Sequence, residues 1–163
     1  MKAMILAAGY GKRLLPLTKD TPKPLLKVGN KTLIERNINN LIKSGFSEIV
    51  INVSHLSKLV EGHVKEKFPK NNISFSFEER PLGTGGGVLK ALNILGSEPF
   101  LSINSDIYHC ISFTNMPKKT EAAHLIGVPN PDHNRNGDFS IKNENMVEVQ
   151  DGLNELTWSG ISL

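Results

Sequence analysis

Near the start of the chain a short apolar run, Met4-Ile5-Leu6, is followed by Gly9, Gly11, Arg13 and Lys23. Glycines let backbone N–H groups approach an anion, arginine offers a planar fork, and lysine offers a movable point charge. Placed where a strand ends, such a set is a phosphate grip. A second apolar run, Phe100 to Ile103, leads into Asn104-Ser105-Asp106. At the carboxyl end of an inner strand, Asp106 is a candidate Mg2+ ligand, since Mg2+ takes one or two carboxylates together with phosphate oxygens. The plainer alternatives are a basic surface loop with turn glycines and an aspartate that caps a turn.

Known glycine motifs do not explain these residues. In Gly9-Tyr10-Gly11-Lys12-Arg13-Leu14 the third glycine of G-x-G-x-x-G is Leu14, and in Gly83 to Val88 it is Val88. The pattern G-x-x-x-x-G-K-[ST] is absent. An ordinary dinucleotide site and a Walker ATPase are therefore both excluded.

The elements that must hold these residues follow from periodicity. Lys2 to Leu6 reads as a buried strand, and Pro16, Pro22 and Pro24 keep the loop after it from being helix. Leu25 to Val28 is a brief extended segment ended by Gly29-Asn30. Thr32 and Glu35 form a capping box for a helix through Leu33, Ile34, Ile38, Leu41 and Ile42, stopped at Gly45. Glu48 to Val53 is a strand, and Leu56, Leu59, Val60, Val64 and Phe68 mark a second helix. Ile73 to Phe77 is a strand with one wetter face. Gly83 to Gly87 is expected as a turn opening into a helix from Val88 to Leu95, closed by Gly96. Strand and helix alternate through Ile103, which implies a mostly parallel sheet covered by helices. Beyond Asp106, Ala123 to Val128, Asp138 to Lys142, Met146 to Gln150 and Leu156 to Leu163 read as strands without helices, an antiparallel or mixed edge. Pro129 to Gly137 is a polar loop.

Composition narrows the class. A chain of 163 residues suits one domain, residues 1–163, and 21% charged residues is ordinary for a soluble globule. The net charge of +3 is concentrated in the opening loop, with no aromatic-rich basic stripe, so an anionic small molecule is favoured over nucleic acid. No apolar run reaches the roughly 18 residues of a membrane span, and no signal-peptide pattern opens the chain, so a cytoplasmic protein is expected. The single cysteine, Cys110, excludes an internal disulfide and reads as a small buried filler. His55, His63 and His109 lack a partner at ligand spacing, His124 is expected packed in a strand, and His133 is expected solvated. Trp158 reads as core or edge packing.

The stretch LAAGYGKRLLPLTKDTPKPLLKV, residues 6–28, resembles the signature of the sugar-1-phosphate nucleotidylyltransferases, L-A-A/G-G-x-G-x-R-L-x-P-L-T-x-x-x-P-K-P-L. Pro81-Leu82-Gly83-Thr84-Gly85-Gly86 is similar to the family's P-L-G-T-A/G-G, and Asn104-Ser105-Asp106 to its N-G-D. The resemblance covers roughly the first two thirds of the chain. It implies a three-layer, Rossmann-like α/β fold with a mostly parallel mixed sheet, which binds a nucleoside triphosphate and a sugar 1-phosphate and uses Mg2+. By the same resemblance Arg13 and Lys23 are catalytic, and Asp106 holds the metal. Leu6, Ala7, Ala8, Gly9, Gly11, Pro81, Gly83 and Thr84 contact the nucleotide, and Asn104 and Asp138 lie on the sugar side. Gly137-Asp138-Phe139 and Ser159-Gly160-Ile161 look most like the N-acetylmuramate-1-phosphate uridylyltransferases of peptidoglycan recycling, which favours UTP and N-acetylmuramate 1-phosphate. Gly83 instead matches mannose- and heptose-1-phosphate guanylyltransferases, and that alternative stands.

Two departures accompany the resemblance. Ser105 replaces a glycine, which would strain the backbone if φ there were positive and would otherwise bring a side chain toward the substrate. Family members also continue past the S-G-I strand with a segment carrying a second metal-binding aspartate. The expectation is a C-terminally incomplete domain, either a non-catalytic binding remnant or a chain completed by another subunit in an oligomer.

Overall fold

Strand β1 (Lys2–Leu6) runs through the middle of the molecule with Ala3, Met4 and Ile5 fully buried. Successive side chains of a strand point to opposite faces, so a strand covered on both sides must be apolar at consecutive positions. Ala3 and Ile5 enter one core and Met4 another. The computed structural model that places them describes residues 1–117, 119–120, 122–143 and 146–163.

After β1 the chain forms a small hairpin, β2 (Lys27–Val28) and β3 (Lys31–Thr32), then α1 (Leu33–Lys43). β4 (Glu48–Val53), α2 (Ser57–Lys67), β5 (Asn72–Phe77), α3 (Gly83–Leu95) and β6 (Phe100–Asn104) follow. The last part carries β7 (Leu125–Pro129), a hairpin of β8 (Ser140–Asn143) and β9 (Met146–Glu148), and β10 (Leu156–Ser162). The main sheet has the order β5-β4-β1-β6-β10-β7. β5, β4, β1 and β6 are parallel, and β10 is antiparallel to both β6 and β7. Ile34, Ile38 and Leu41 of α1 and Val60 and Val64 of α2 pack with Ala3, Ile5, Ile49 and Ile51 on one face. Ala91 and Leu95 of α3 pack with Met4 and Val50 on the other. The result is the three-layer α/β sandwich with a mixed edge that the sequence implies.

Helix α1 begins as its local chemistry dictates. Thr32 Oγ1 accepts from the Glu35 N–H at 3.2 Å, and Glu35 Oε2 accepts from the Thr32 N–H at 2.7 Å. This reciprocal cap satisfies two otherwise orphaned donors. Past its end, Gly45 takes φ +88°, a conformation that suits glycine.

Helix α3 departs from expectation. Gly83 to Gly87 form its first turns rather than a separate loop. Glycine costs up to about 1 kcal/mol relative to alanine in a helix, so propensity argues against this run. Space nevertheless requires glycine at two of these positions: a Cβ on Gly86 would lie 2.8 Å from Leu82 Cβ, and one on Gly87 2.6 Å from Asn52 Nδ2. Other expectations are also corrected. Cys110 is exposed, because the segment after β6 runs over the surface. His124 is exposed just ahead of β7, with its backbone paired to Leu163. His63 has partners after all: its Nε2 lies 3.3 Å from both Glu35 Oε1 and Thr32 Oγ1, because α2 packs beside the start of α1. Trp158 is half-buried and donates from its indole N–H to the Ile161 carbonyl at 3.0 Å.

His109 carries a pH consequence. Its Nδ1 accepts from the Ile111 N–H at 3.2 Å, and its ring lies 5.4 Å from Phe113. Burial lowers its pKa from the ordinary 6.5, because the charged ring would be poorly solvated. The folded state therefore binds this proton less readily than the unfolded chain. The stability His109 contributes is full above about pH 6.5 and is lost as pH falls through the lowered folded value. Thermal melting between pH 7.5 and 5.5 should show a smaller acid-induced drop in His109→Phe than in wild type. Parallel curves would remove His109 as a source of acid sensitivity.

Candidate functional site

The parallel register lines up three strand ends. Leu6 of β1 stands opposite Asn52 of β4 on one side and Asn104 of β6 on the other. The chain passes from β1 to β4 and β5 on one side, then returns to place β6 on the other. That reversal opens a crevice at the carboxyl ends of β1 and β6, where open α/β sheets bind ligands. The Ser105 N–H donates to the Leu6 carbonyl at 3.0 Å, so the opening loop and the Asp106 segment leave the sheet side by side.

The loop is folded tightly after β1. Gly11 has φ +67° and caps a short 3-10 turn, Lys12–Leu14. A Cβ there would meet Thr18 Cγ2 at 3.0 Å and Lys23 Cβ at 3.3 Å, so both conformation and space require glycine. Buried Thr18 donates from Oγ1 to the Gly11 carbonyl at 2.9 Å. A second 3-10 turn, Lys23–Leu25, presents Lys23 to Asp106, and the two side chains are joined by an ion pair. Across β6, buried Asn37 of α1 donates to the Ser105 carbonyl at 3.2 Å and reaches the Asn104 carbonyl at 3.4 Å. Helix α1 thus holds the backbone from which Asp106 projects.

These elements enclose a cleft of about 460 Å³. Leu6, Ala7, Ala8, Gly9, Gly11, Arg13 and Lys23 line one side. Pro81, Gly83 and Thr84 line a second, and Asn104 and Asp106 a third. The volume lies within the range of small-molecule sites and far exceeds what a lone ion needs. Among the described residues its lining carries Lys12, Arg13 and Lys23 against the single carboxylate of Asp106. An excess of cations in a concave site favours a polyanion. Arg13 is exposed and makes no hydrogen bond or ion pair within the described residues, so its fork is available to a ligand.

Asp138 stands apart. Its carboxylate accepts from the Trp158 N–H at 2.8 Å and from Asn134 Nδ2 at 3.0 Å, which closes the loop between β7 and β8. It does not line the cleft, so its placement does not support the sugar-side role. Ser105 does line the cleft, with an ordinary negative φ, so the glycine-to-serine departure brings no backbone strain. Asn104 sits against Gly160, where a Cβ would come within 2.6 Å of its Nδ2.

Sequence reasoning passes over Tyr10, Lys12, Pro24 and Asn52 as lining residues. Tyr10 and Lys12 were within reach as members of the loop itself, and Lys12 Nζ lies 5.3 Å from the Tyr10 ring centroid. Asn52 signals itself only as a polar residue at the end of an apolar strand. Asn37 does so as a polar residue inside the apolar stripe Ile34, Ile38, Leu41.

The donor set also bears on metal choice. Among the described residues no group of three or more His, Cys, Asp or Glu side chains could hold a metal ion. Asp106 alone, completed by phosphate oxygens and water, fits Mg2+ and does not fit a structural zinc site.

Comparison with known proteins shows the family. The family profile described as Nucleotidyl transferase matches residues 2–149. The N-acetylmuramate alpha-1-phosphate uridylyltransferase of Neisseria meningitidis serogroup B is 41% identical over 174 aligned positions, covering all of this chain and 74% of that protein. Mannose-1-phosphate guanyltransferase beta-B of Xenopus laevis is 40% identical over 120 positions, 71% of this chain but only 33% of its own length. Among solved structures, HddC from Yersinia pseudotuberculosis complexed with GMP-PN superposes with a TM-score of 0.81 at 26% identity, covering 99% of this chain and 75% of that one. This chain accordingly belongs to the nucleotidyl transferase family, alongside sugar-1-phosphate nucleotidylyltransferases.

Proposed function

We propose that the chain joins a nucleoside triphosphate to a sugar 1-phosphate, with UTP and N-acetylmuramate 1-phosphate as the favoured pair. The observation that carries this reading is the cationic cleft at the β1/β6 switch point, with one carboxylate across from a glycine loop. The match to a uridylyltransferase, over all of this chain and 74% of that protein, supports the choice of substrates.

An oxygen of the sugar 1-phosphate attacks the α-phosphorus of the triphosphate, forming a new P–O bond. The bond to the bridging oxygen breaks on the opposite side, and pyrophosphate leaves with the electron pair. Such a step needs alignment and charge neutralisation more than proton transfer. Arg13 spans the triphosphate and stabilises charge that builds on it. Lys23 draws the two phosphates together after exchanging its Asp106 partner for phosphate oxygen. The backbone from Leu6 to Gly11 seats the nucleotide, and Gly83 with Thr84 meets the base through backbone groups. Mg2+, when held by Asp106, supplies Lewis-acid stabilisation at the α-phosphate.

A second reading exchanges GTP for UTP and mannose or heptose 1-phosphate for the amino sugar. Gly83 favours it, as does the 40% identity to a guanyltransferase. Its φ of +75° and open surroundings leave only backbone to face a base, which suits either uracil or guanine.

Pyrophosphate release with UTP, GTP, CTP and dTTP against a panel of sugar 1-phosphates tests both readings. Turnover is expected to be fastest with UTP and N-acetylmuramate 1-phosphate, and a clear preference for GTP would select the second reading. Nucleotide binding without turnover on any pair would reduce the function to that of a binding domain.

A further inference from the structure

Behind the cleft lies a chain of three hydrogen bonds that connects two of its walls. The Ala7 N–H, in the opening loop, donates to Asn52 Oδ1 at 2.7 Å. Asn52 Nδ2 donates to Glu78 Oε1 at 2.7 Å. Glu78 Oε2 accepts from the Leu82 N–H at 2.8 Å, immediately before Gly83. Asn52 is 2% exposed and Glu78 5% exposed, so water is a poor substitute for either partner. Gly87 leaves the room they need, since a Cβ there would lie 2.6 Å from Asn52 Nδ2 and 2.9 Å from Glu78 Oε1.

Both ends of this chain are backbone N–H groups, which only donate. The Ala7 end fixes the Asn52 amide with its oxygen toward the loop and its nitrogen toward residue 78. Residue 78 must then accept twice, from Asn52 and from Leu82. An ionised carboxylate does this, whereas a glutamine offers one acceptor and leaves a buried donor facing a donor. Turning the Asn52 amide over would only move that conflict to Ala7.

We propose that Asn52 and Glu78 are positioning residues, a directional relay that fixes the opening loop relative to Gly83 and Thr84 and so holds the cleft ready for a nucleotide. The proposal deepens the nucleotide-binding reading and rests on it. It makes a polarity-specific prediction. Asn52→Asp combined with Glu78→Gln restores every bond. The carboxylate introduced on β4 accepts from both the Ala7 N–H and the new side-chain amide, and the oxygen of that amide accepts from Leu82. Each single variant leaves one conflict: two donors in Glu78→Gln, two carboxylates in Asn52→Asp.

Two measurements on the four proteins decide the matter. Backbone amide exchange of Ala7 and Leu82 in the nucleotide-free protein reads the relay without reference to activity. Glu78→Gln should speed exchange at one or both amides about tenfold or more, and the double variant should return them toward wild type. The dissociation constant for Mg2+·UTP, with Mg2+·GTP in parallel, reads positioning. It should rise about tenfold in Glu78→Gln and recover at least in part in the double variant, whose new carboxylate borders the cleft. Full protection in Glu78→Gln, or a double variant no better than the single, would overturn the relay. Lost protection with unchanged nucleotide affinity would overturn its positioning role. If wild type binds neither nucleotide, the functional reading fails while the exchange data still judge the relay.

Discussion

An Asp106→Asn variant should lose about 10²- to 10³-fold in kcat while its melting temperature stays within about 4 °C of wild type. The reason lies in what Asp106 does with and without substrate. In the ligand-free cleft it pairs with Lys23, and the two side chains are 23% and 29% exposed, Lys23 the less so. Partly solvated pairs of this kind contribute about 0 to 1 kcal/mol, so stability barely depends on them. On the proposed reading the same carboxylate would anchor Mg2+ when substrate is bound, and asparagine is a far weaker ligand for that ion. The half-saturating Mg2+ concentration should rise along with the loss of rate. Pyrophosphate-release rates across a Mg2+ series, alongside thermal melting, check both halves. Full activity would sink the metal role. A large drop in melting temperature in step with activity would make Asp106 a structural residue.

Arg13→Ala is the second large effect, expected at about 10²- to 10³-fold in kcat/KM. Arg13 is exposed and unpaired within the described residues, so its removal should change folding stability by no more than about 0.5 kcal/mol. If its main work is on charge that develops in the transition state, kcat falls and KM moves little. If it only holds the triphosphate, KM rises and kcat is kept. The first pattern is expected. Arg13→Lys retains the charge but loses the planar fork, and should recover only part of the rate. Unchanged turnover in Arg13→Ala would refute the assignment.

Much of the scaffold is legible from local rules. The Thr32–Glu35 cap, the stop at Gly45 and the strands around β1 follow from residue types at short spacing. The start of α3 was not legible, because five of its first residues, Gly83 to Gly87 with Thr84 among them, include the poorest helix formers short of proline. Glycine is needed at Gly86 and Gly87 because Leu82, Asn52 and Glu78 crowd the space a Cβ would take, and Asn52 and Glu78 are not near neighbours in sequence. The exposure of Cys110 and His124 likewise depends on where long connections cross the surface.

By itself the sequence pointed to residues that the structure gathers in the cleft: Gly9, Gly11, Arg13 and Lys23 from the opening loop, and Asp106 past the end of β6. Those inferences are possible because side-chain chemistry and local backbone freedom are properties of the residue and its near neighbours. Tertiary structure alone decided that Leu6, Asn52 and Asn104 lie in one row and that Asp138 accepts from the Trp158 N–H of β10, outside the cleft lining. It also decided that Asn37 and Glu78 hold the walls from behind. Strand register and long-range hydrogen bonds join residues dozens of positions apart, and no short-range pattern in the chain encodes that pairing.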